Sequence, residues 1–86
     1  MKSTYGALLK EWRETRRISQ LGLGLSANVS SRHISFLETG RASPSREMVL
    51  NLAEELQVPR GSRNTMLQAA GFAPAYHARD LKDEDM

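Results

Sequence analysis

The chain has 86 residues, 40% of them hydrophobic and 26% charged, with no cysteine and a formal net charge of +2. That length supports one domain with one modest core, burying roughly 60–65% of the surface an unfolded chain exposes, and leaves no room for a second. The missing cysteines exclude a disulfide framework and a thiolate site, and the sequence holds neither a membrane-spanning run of ~20 apolar residues nor the apolar stretch of a signal peptide. A soluble protein of the reducing cytoplasm is therefore expected. Charge is unevenly placed: residues 1–76 carry ten basic and six acidic side chains, whereas 77–86 carry two and four. A basic body with an acidic tail favours a polyanionic partner for the body.

Tyr5, Leu8, Leu9 and Trp12 recur at i, i+3, i+4 and i+7, and Arg13, Arg16 and Arg17 follow where cations suit a helix dipole. The spacing predicts a helix from about Thr4 to Arg17. Ser19 is a candidate N-cap for a second, short helix with Leu23 and Ala27 on one face. Asn28 tolerates left-handed backbone and marks a sharp corner. Ser30 then caps a third helix, in which Ile34 and Leu37 share one face. Arg32, Ser35, Phe36 and Thr39 point the opposite way, Ser31 and His33 lie on the flanks, and Gly40 supplies the left-handed stop. In the following loop Pro44 keeps Ser43 extended, and Ser45 caps a fourth helix with Val49, Leu52, Ala53 and Leu56 on its inner face, ending near Gln57. Pro59 is placed for the first turn of a fifth helix that carries Met66, Leu67 and Ala70 and stops at Gly71. The expected fold is all-α: five short helices in a domain over residues 1–74, with the charged residues 75–86 as a flexible tail or linker.

Two short helices joined by a tight turn, the second offering polar groups outward, point to duplex DNA as the partner. On that outward face a guanidinium fork at Arg32 can take guanine O6 and N7 together, and Phe36 can offer a thymine methyl contact. His33 has no nucleophile or carboxylate at a helical spacing that would activate it, and no metal-ligand constellation is present. Neither an enzymatic reaction nor a cofactor is expected.

The residues S-Q at 19–20, Leu23, Gly24, Ala27, V-S at 29–30, Ile34, Leu37-Glu38, Gly40, Pro44-Ser45 and L-A-E-E-L at 52–56 resemble the lambda repressor-like, XRE-type helix-turn-helix domains. More narrowly, the stretches L-L-K-E-W-R-E-T-R-R, S-S-R-H-I-S-F-L-E-T-G-R-A-S-P-S-R-E-M-V-L and R-N-T-M-L-Q-A-A-G-F-A-P-A-Y are similar to the MmyB-like branch of transcription regulators. In that branch the DNA-binding domain precedes a larger ligand-binding domain, which this chain would lack. The resemblance implies base contacts at Ser31, Arg32 and Phe36. It implies DNA-backbone contacts at Ser19, Gln20, Thr39 and Arg41, to which the flanking His33 and the outward Ser35 are added. It also implies an interior pair between Arg13 and Glu38. Binding as a homodimer is expected, and Leu21 and Leu25, four apart and more apolar than a solvated face needs, are a candidate contact with a partner subunit.

The chain departs from the pattern at Leu21, Gly22 and Gly24, where the family often has acidic, acidic and Ala. Each interior glycine costs roughly 1 kcal/mol against Ala, which predicts a frayed second helix. Asn28 stands in place of the usual turn glycine, and Gly61 stands in a fifth helix that relatives tend to build without it. Two alternatives stay open on the same fold: a protein-interaction module using Leu21 and Leu25, and an antitoxin.

Overall fold

Hydroxyl caps open four helices of the computed structural model, which describes residues 4–76. The Thr4, Ser19, Ser30 and Ser45 side chains accept from the amides of Ala7, Gly22, His33 and Met48 at 3.1, 2.9, 3.0 and 3.0 Å, each satisfying a donor that a helix start leaves unpaired. They introduce α1 (Tyr5–Thr15), α2 (Gln20–Ala27), α3 (Ser31–Thr39) and α4 (Arg46–Glu55). The last helix, α5 (Arg60–Ala69), runs through Gly61 and starts directly after Pro59, which occupies its cap position. No strand occurs among the described residues, so the architecture is the expected all-α, five-helix arrangement, consistent with a lambda repressor-like domain.

A left-handed residue follows each helix: Arg17, Asn28, Gly40, Gln57 and Gly71. Glycine and asparagine at this position are legible in sequence, but arginine and glutamine are not. This is why α1 stops at Thr15 rather than Arg17, and α4 at Glu55 rather than Gln57. The gain lies one residue further on, where the amides of Ile18, Val58 and Phe72 reach back to the carbonyls of Arg13, Ala53 and Leu67 at 3.1, 2.9 and 2.8 Å. In each case an apolar side chain is thereby folded onto the core, which stabilises the reversal.

The second helix is complete, contrary to the fraying its glycines predict. A Cβ on Gly24 would collide with the Val29 carbonyl and lie 3.3 Å from the Ser31 amide, so the missing side chain is what lets α3 start close beneath α2. Buried Leu23 and Ala27 and the Ser19 cap hold the remainder. Gly6 does the same for α1, because a Cβ there would strike the Glu38 carbonyl oxygen and lie 2.8 Å from the Glu38 carbonyl carbon. The core between the helices is filled by Leu9, Leu23, Ile34, Leu37, Leu52 and Met66, all buried, with Tyr5 at its edge.

Side chains tie the helix ends together. Arg16 donates from Nε to the Leu56 carbonyl at 2.9 Å and from Nη2 to the Gln57 carbonyl at 3.0 Å, fastening the end of α1 to the end of α4 while its guanidinium lies 5.4 Å from the Trp12 ring centre. Asn51 of α4 donates to the Ala27 carbonyl at the end of α2. Asn64 clamps the chain after α5: its Oδ1 accepts from the amides of Ala75 and Tyr76 at 3.0 and 3.1 Å, and its Nδ2 donates to the Tyr76 carbonyl at 3.0 Å. The ordered contacts thus reach Tyr76, two residues beyond the boundary expected at Pro74, because Asn64 supplies backbone partners that composition alone does not reveal. The charged residues 77–86 expected to form the tail lie outside the described residues. Among the described residues, no helix is long and apolar enough to cross a membrane.

Candidate nucleic-acid interface

The turn between α2 and α3 is made by Asn28 at φ 60° and ψ 46°, with the Asn28 and Val29 amides both returned to the Gly24 carbonyl. Asparagine enters this region at lower cost than most side chains, so the corner forms without glycine. From Ser31 onward α3 divides by face: Ile34 and Leu37 are buried, Arg32 and Thr39 are exposed, and Ser31, His33, Ser35 and Phe36 are half-buried.

The inner end of α3 is fixed by charge. Arg13 of α1 donates from Nε to Glu38 Oε2 at 2.6 Å and from Nη2 to Oε1 at 3.0 Å, while its Nη1 reaches the Ile18 carbonyl at 3.0 Å. Gln20 Nε2 adds a third donor to Glu38 Oε1 at 3.1 Å. A planar fork matched to a carboxylate is the strong form of an ion pair, and these partners satisfy both carboxylate oxygens. The hydrogen bond to Glu38 raises the Arg13 pKa further, against the opposing effect of burial, so the guanidinium stays charged. Beside them the Tyr5 hydroxyl is buried without a hydrogen-bond partner, and burial, followed by the Glu38 charge, drives its pKa well above the ordinary tyrosine value.

The outer face is organised around Phe36. The Arg32 guanidinium lies 5.3 Å from its ring centre and the Arg41 guanidinium 5.7 Å. The Phe36 carbonyl also accepts from the amides of Gly40, Arg41 and Ala42, the last two at 2.9 and 3.1 Å, which anchors the loop carrying Arg41 to the end of α3. Among the described residues no side-chain hydrogen bond or ion pair engages Arg32 or Arg41, whereas Arg13, Arg16 and Arg63 are committed to internal acceptors. The guanidinium donors of Arg32 and Arg41 are unspent.

A family model described as a helix-turn-helix domain matches residues 4–66, from the cap of α1 to Met66 in α5. The chain belongs to that family. No curated protein and no solved structure matches the chain.

Within the helix-turn-helix domain, the residues singled out from sequence separate by what their donors are doing. Arg13 and Glu38 are joined as an ion pair between α1 and α3. Ser19 Oγ accepts from Gly22, leaving its O–H to donate outward. Gln20, expected on the outside, commits one of its two amide protons inward to Glu38, so the start of α2 is locked to the pair that holds α3. Thr39 turns its hydroxyl back to the carbonyls of Ser35 and Phe36 at 3.0 and 3.4 Å, leaving no O–H for an external acceptor in this arrangement. Ser31 and His33 stand in the first turn of α3, where the Ser30 cap takes the His33 amide. Arg46 is exposed at the first position of α4. Among the described residues no group of three or more His, Cys, Asp or Glu side chains could hold a metal ion.

Proposed function

We propose that the protein is a sequence-specific regulator of transcription that binds duplex DNA with α3 in the major groove, within the XRE-type, MmyB-like branch of helix-turn-helix proteins. One observation carries the reading: Arg32 on the outer face of α3 and Arg41 in the loop just past its end have guanidinium donors with no described acceptor, while Glu38 of α3 and the Gln20 amide are consumed in holding that helix. Ser31, Arg32 and Phe36 then face base edges, and Ser19, Gln20, His33, Ser35, Thr39 and Arg41 face the sugar–phosphate backbone. This assignment places the α2 and α3 amide ends toward phosphate, where their dipoles favour it. Residues 1–74 are assigned as the DNA-binding unit and 75–86 as a tail or linker, which in this branch joins a ligand-binding domain. Two copies bind a two-fold or repeated site, and no reaction is catalysed.

A second reading has its own observation. Leu21 is 60% exposed and Leu25 76%, one turn apart on α2, and this pair suits a protein-interaction module or an antitoxin on the same fold. Selection of duplexes from a random library, followed by affinity against salt, separates the two. The DNA reading expects an enriched motif and a log–log salt slope of about −0.9 per phosphate neutralised. No enrichment, or binding indifferent to salt, overturns it in favour of the interaction module.

A further inference from the structure

Phe36 is a large aromatic residue on a helix whose core face is complete without it: Ile34 and Leu37 enter the core, and Phe36 is absent from both the buried cluster and the residues packed on it. Instead its ring is approached by two cations from different parts of the chain. Arg32 comes from one turn earlier on α3, and Arg41 comes from the loop beyond the left-handed Gly40. An aromatic face within ~6 Å attracts a guanidinium, and the planar group can lie along the ring while its N–H edge still points outward. Two long, rotamer-rich side chains that carry no other described bond are thereby held beside one ring.

We infer that Phe36 is a positioning residue that holds Arg32 and Arg41 as one unit, rather than a reader of bases in its own right. The inference rests on the DNA reading of this face and changes its internal logic. Binding normally loses the rotamer freedom of each arginine that it immobilises, and a ring that has already restricted both lowers that loss. The anchoring of Gly40, Arg41 and Ala42 to the Phe36 carbonyl makes the same residue fix Arg41 through the backbone as well. Phe36 couples a side chain placed to read a base pair with one placed to grip phosphate.

The test compares the full chain with its Phe36→Leu and Phe36→Trp variants, with thermal melts confirming that each folds. In the free protein, the side-chain δ-proton resonances of Arg32 and Arg41 should both be shifted upfield by the ring current, return to ordinary positions in Phe36→Leu, and stay shifted in Phe36→Trp. On a duplex selected with the wild-type protein, Phe36→Leu should lower affinity about tenfold, reduce the salt slope, and flatten the preference at the base pair read by Arg32, while Phe36→Trp restores much of the loss. Ordinary arginine resonances in the wild-type protein overturn the inference. So does a Phe36→Leu variant that loses preference only at a thymine-containing position with its salt slope unchanged, since that result makes Phe36 a base contact. Failure of the wild-type protein to select any duplex overturns the DNA reading itself, whatever the spectra of the variants show.

Discussion

Arg13 and Glu38, twenty-five residues apart, meet as a two-pronged fork between α1 and the end of α3, with side chains only 12% and 3% exposed. The carboxylate takes three hydrogen bonds, two from Arg13 and one from Gln20. Glu38→Ala should leave the Arg13 guanidinium half-shielded with only the Ile18 carbonyl, costing about 3–5 kcal/mol. The Arg63–Glu54 pair is the internal control. It has a similar 2.8 Å separation, but Glu54 is 69% exposed, so Glu54→Ala should cost ~0–1 kcal/mol. Urea unfolding of both variants checks the contrast, and equal effects would show that the Arg13–Glu38 pair contributes no more than a surface pair does.

The Tyr5 hydroxyl has the opposite standing, being buried beside Glu38 with no partner. An unsatisfied buried polar group costs about 1–3 kcal/mol, so Tyr5→Phe should leave stability at neutral pH unchanged or raised. Its pH dependence has a definite sign. The folded-state pKa is raised by burial first and by the Glu38 charge second, so above the ordinary value of ~10 the unfolded chain releases a proton that the folded chain retains. The wild-type protein should lose stability relative to Tyr5→Phe as pH rises above ~10, with no such difference below it. Tyr76 is present in both proteins and cancels. Unfolding curves of the pair from neutral to strongly alkaline pH test this, and parallel curves throughout would contradict the burial of the hydroxyl.

The five helices and the three serine caps are legible in the sequence from local spacing, and the Arg13–Glu38 pairing is suggested there only by a family pattern. What escapes it depends on distances between elements. Gly24 reads as a cause of fraying until the Val29 carbonyl is placed beneath it, and the need for glycine at position 6 shows only once α3 is packed against α1. Arg17 and Gln57 take left-handed backbone because Ile18 and Val58 beyond them bury against the core, a tertiary reward that outweighs local preference. On the outer face, Arg32 and Phe36 stand four apart on one helix and their contact is visible in spacing. The approach of Arg41 to the same ring needs the geometry of Gly40.

Two glycines should respond in opposite directions to the same substitution. At Gly6 the obstacle to a Cβ is the backbone of Leu37 and Glu38, which cannot move without shifting α3, so Gly6→Ala should destabilise by roughly 1–3 kcal/mol. At Gly22 the nearest atoms are side-chain ends, Ser19 Oγ at 3.2 Å and Ile18 Cγ2 at 3.4 Å, and the residue is an ordinary helical one. Gly22→Ala should therefore gain about 0.5–1 kcal/mol from helix propensity and lost unfolded-state freedom. Thermal melts decide it: a stabilised Gly6→Ala would mean that α1 does not approach α3 as closely as the structure has it.

Arg32 and Arg41 share a ring but should fail differently on DNA. Arg32 projects from α3 itself, where a bidentate fork meets a guanine edge, so Arg32→Ala should cost ~1–3 kcal/mol on the selected site and relax preference at one base pair. Arg41 lies past the helix end in a loop anchored to the Phe36 carbonyl, a place suited to the phosphate backbone, which carries no base identity. Arg41→Ala should accordingly weaken selected and random duplexes by similar factors and reduce the salt slope by about one unit. Each variant is measured against the selected site and every single-base change of it at several salt concentrations. If Arg32→Ala lowers all affinities equally while Arg41→Ala alters base preference, the roles along this face are exchanged, and α3 does not enter the groove in the orientation proposed.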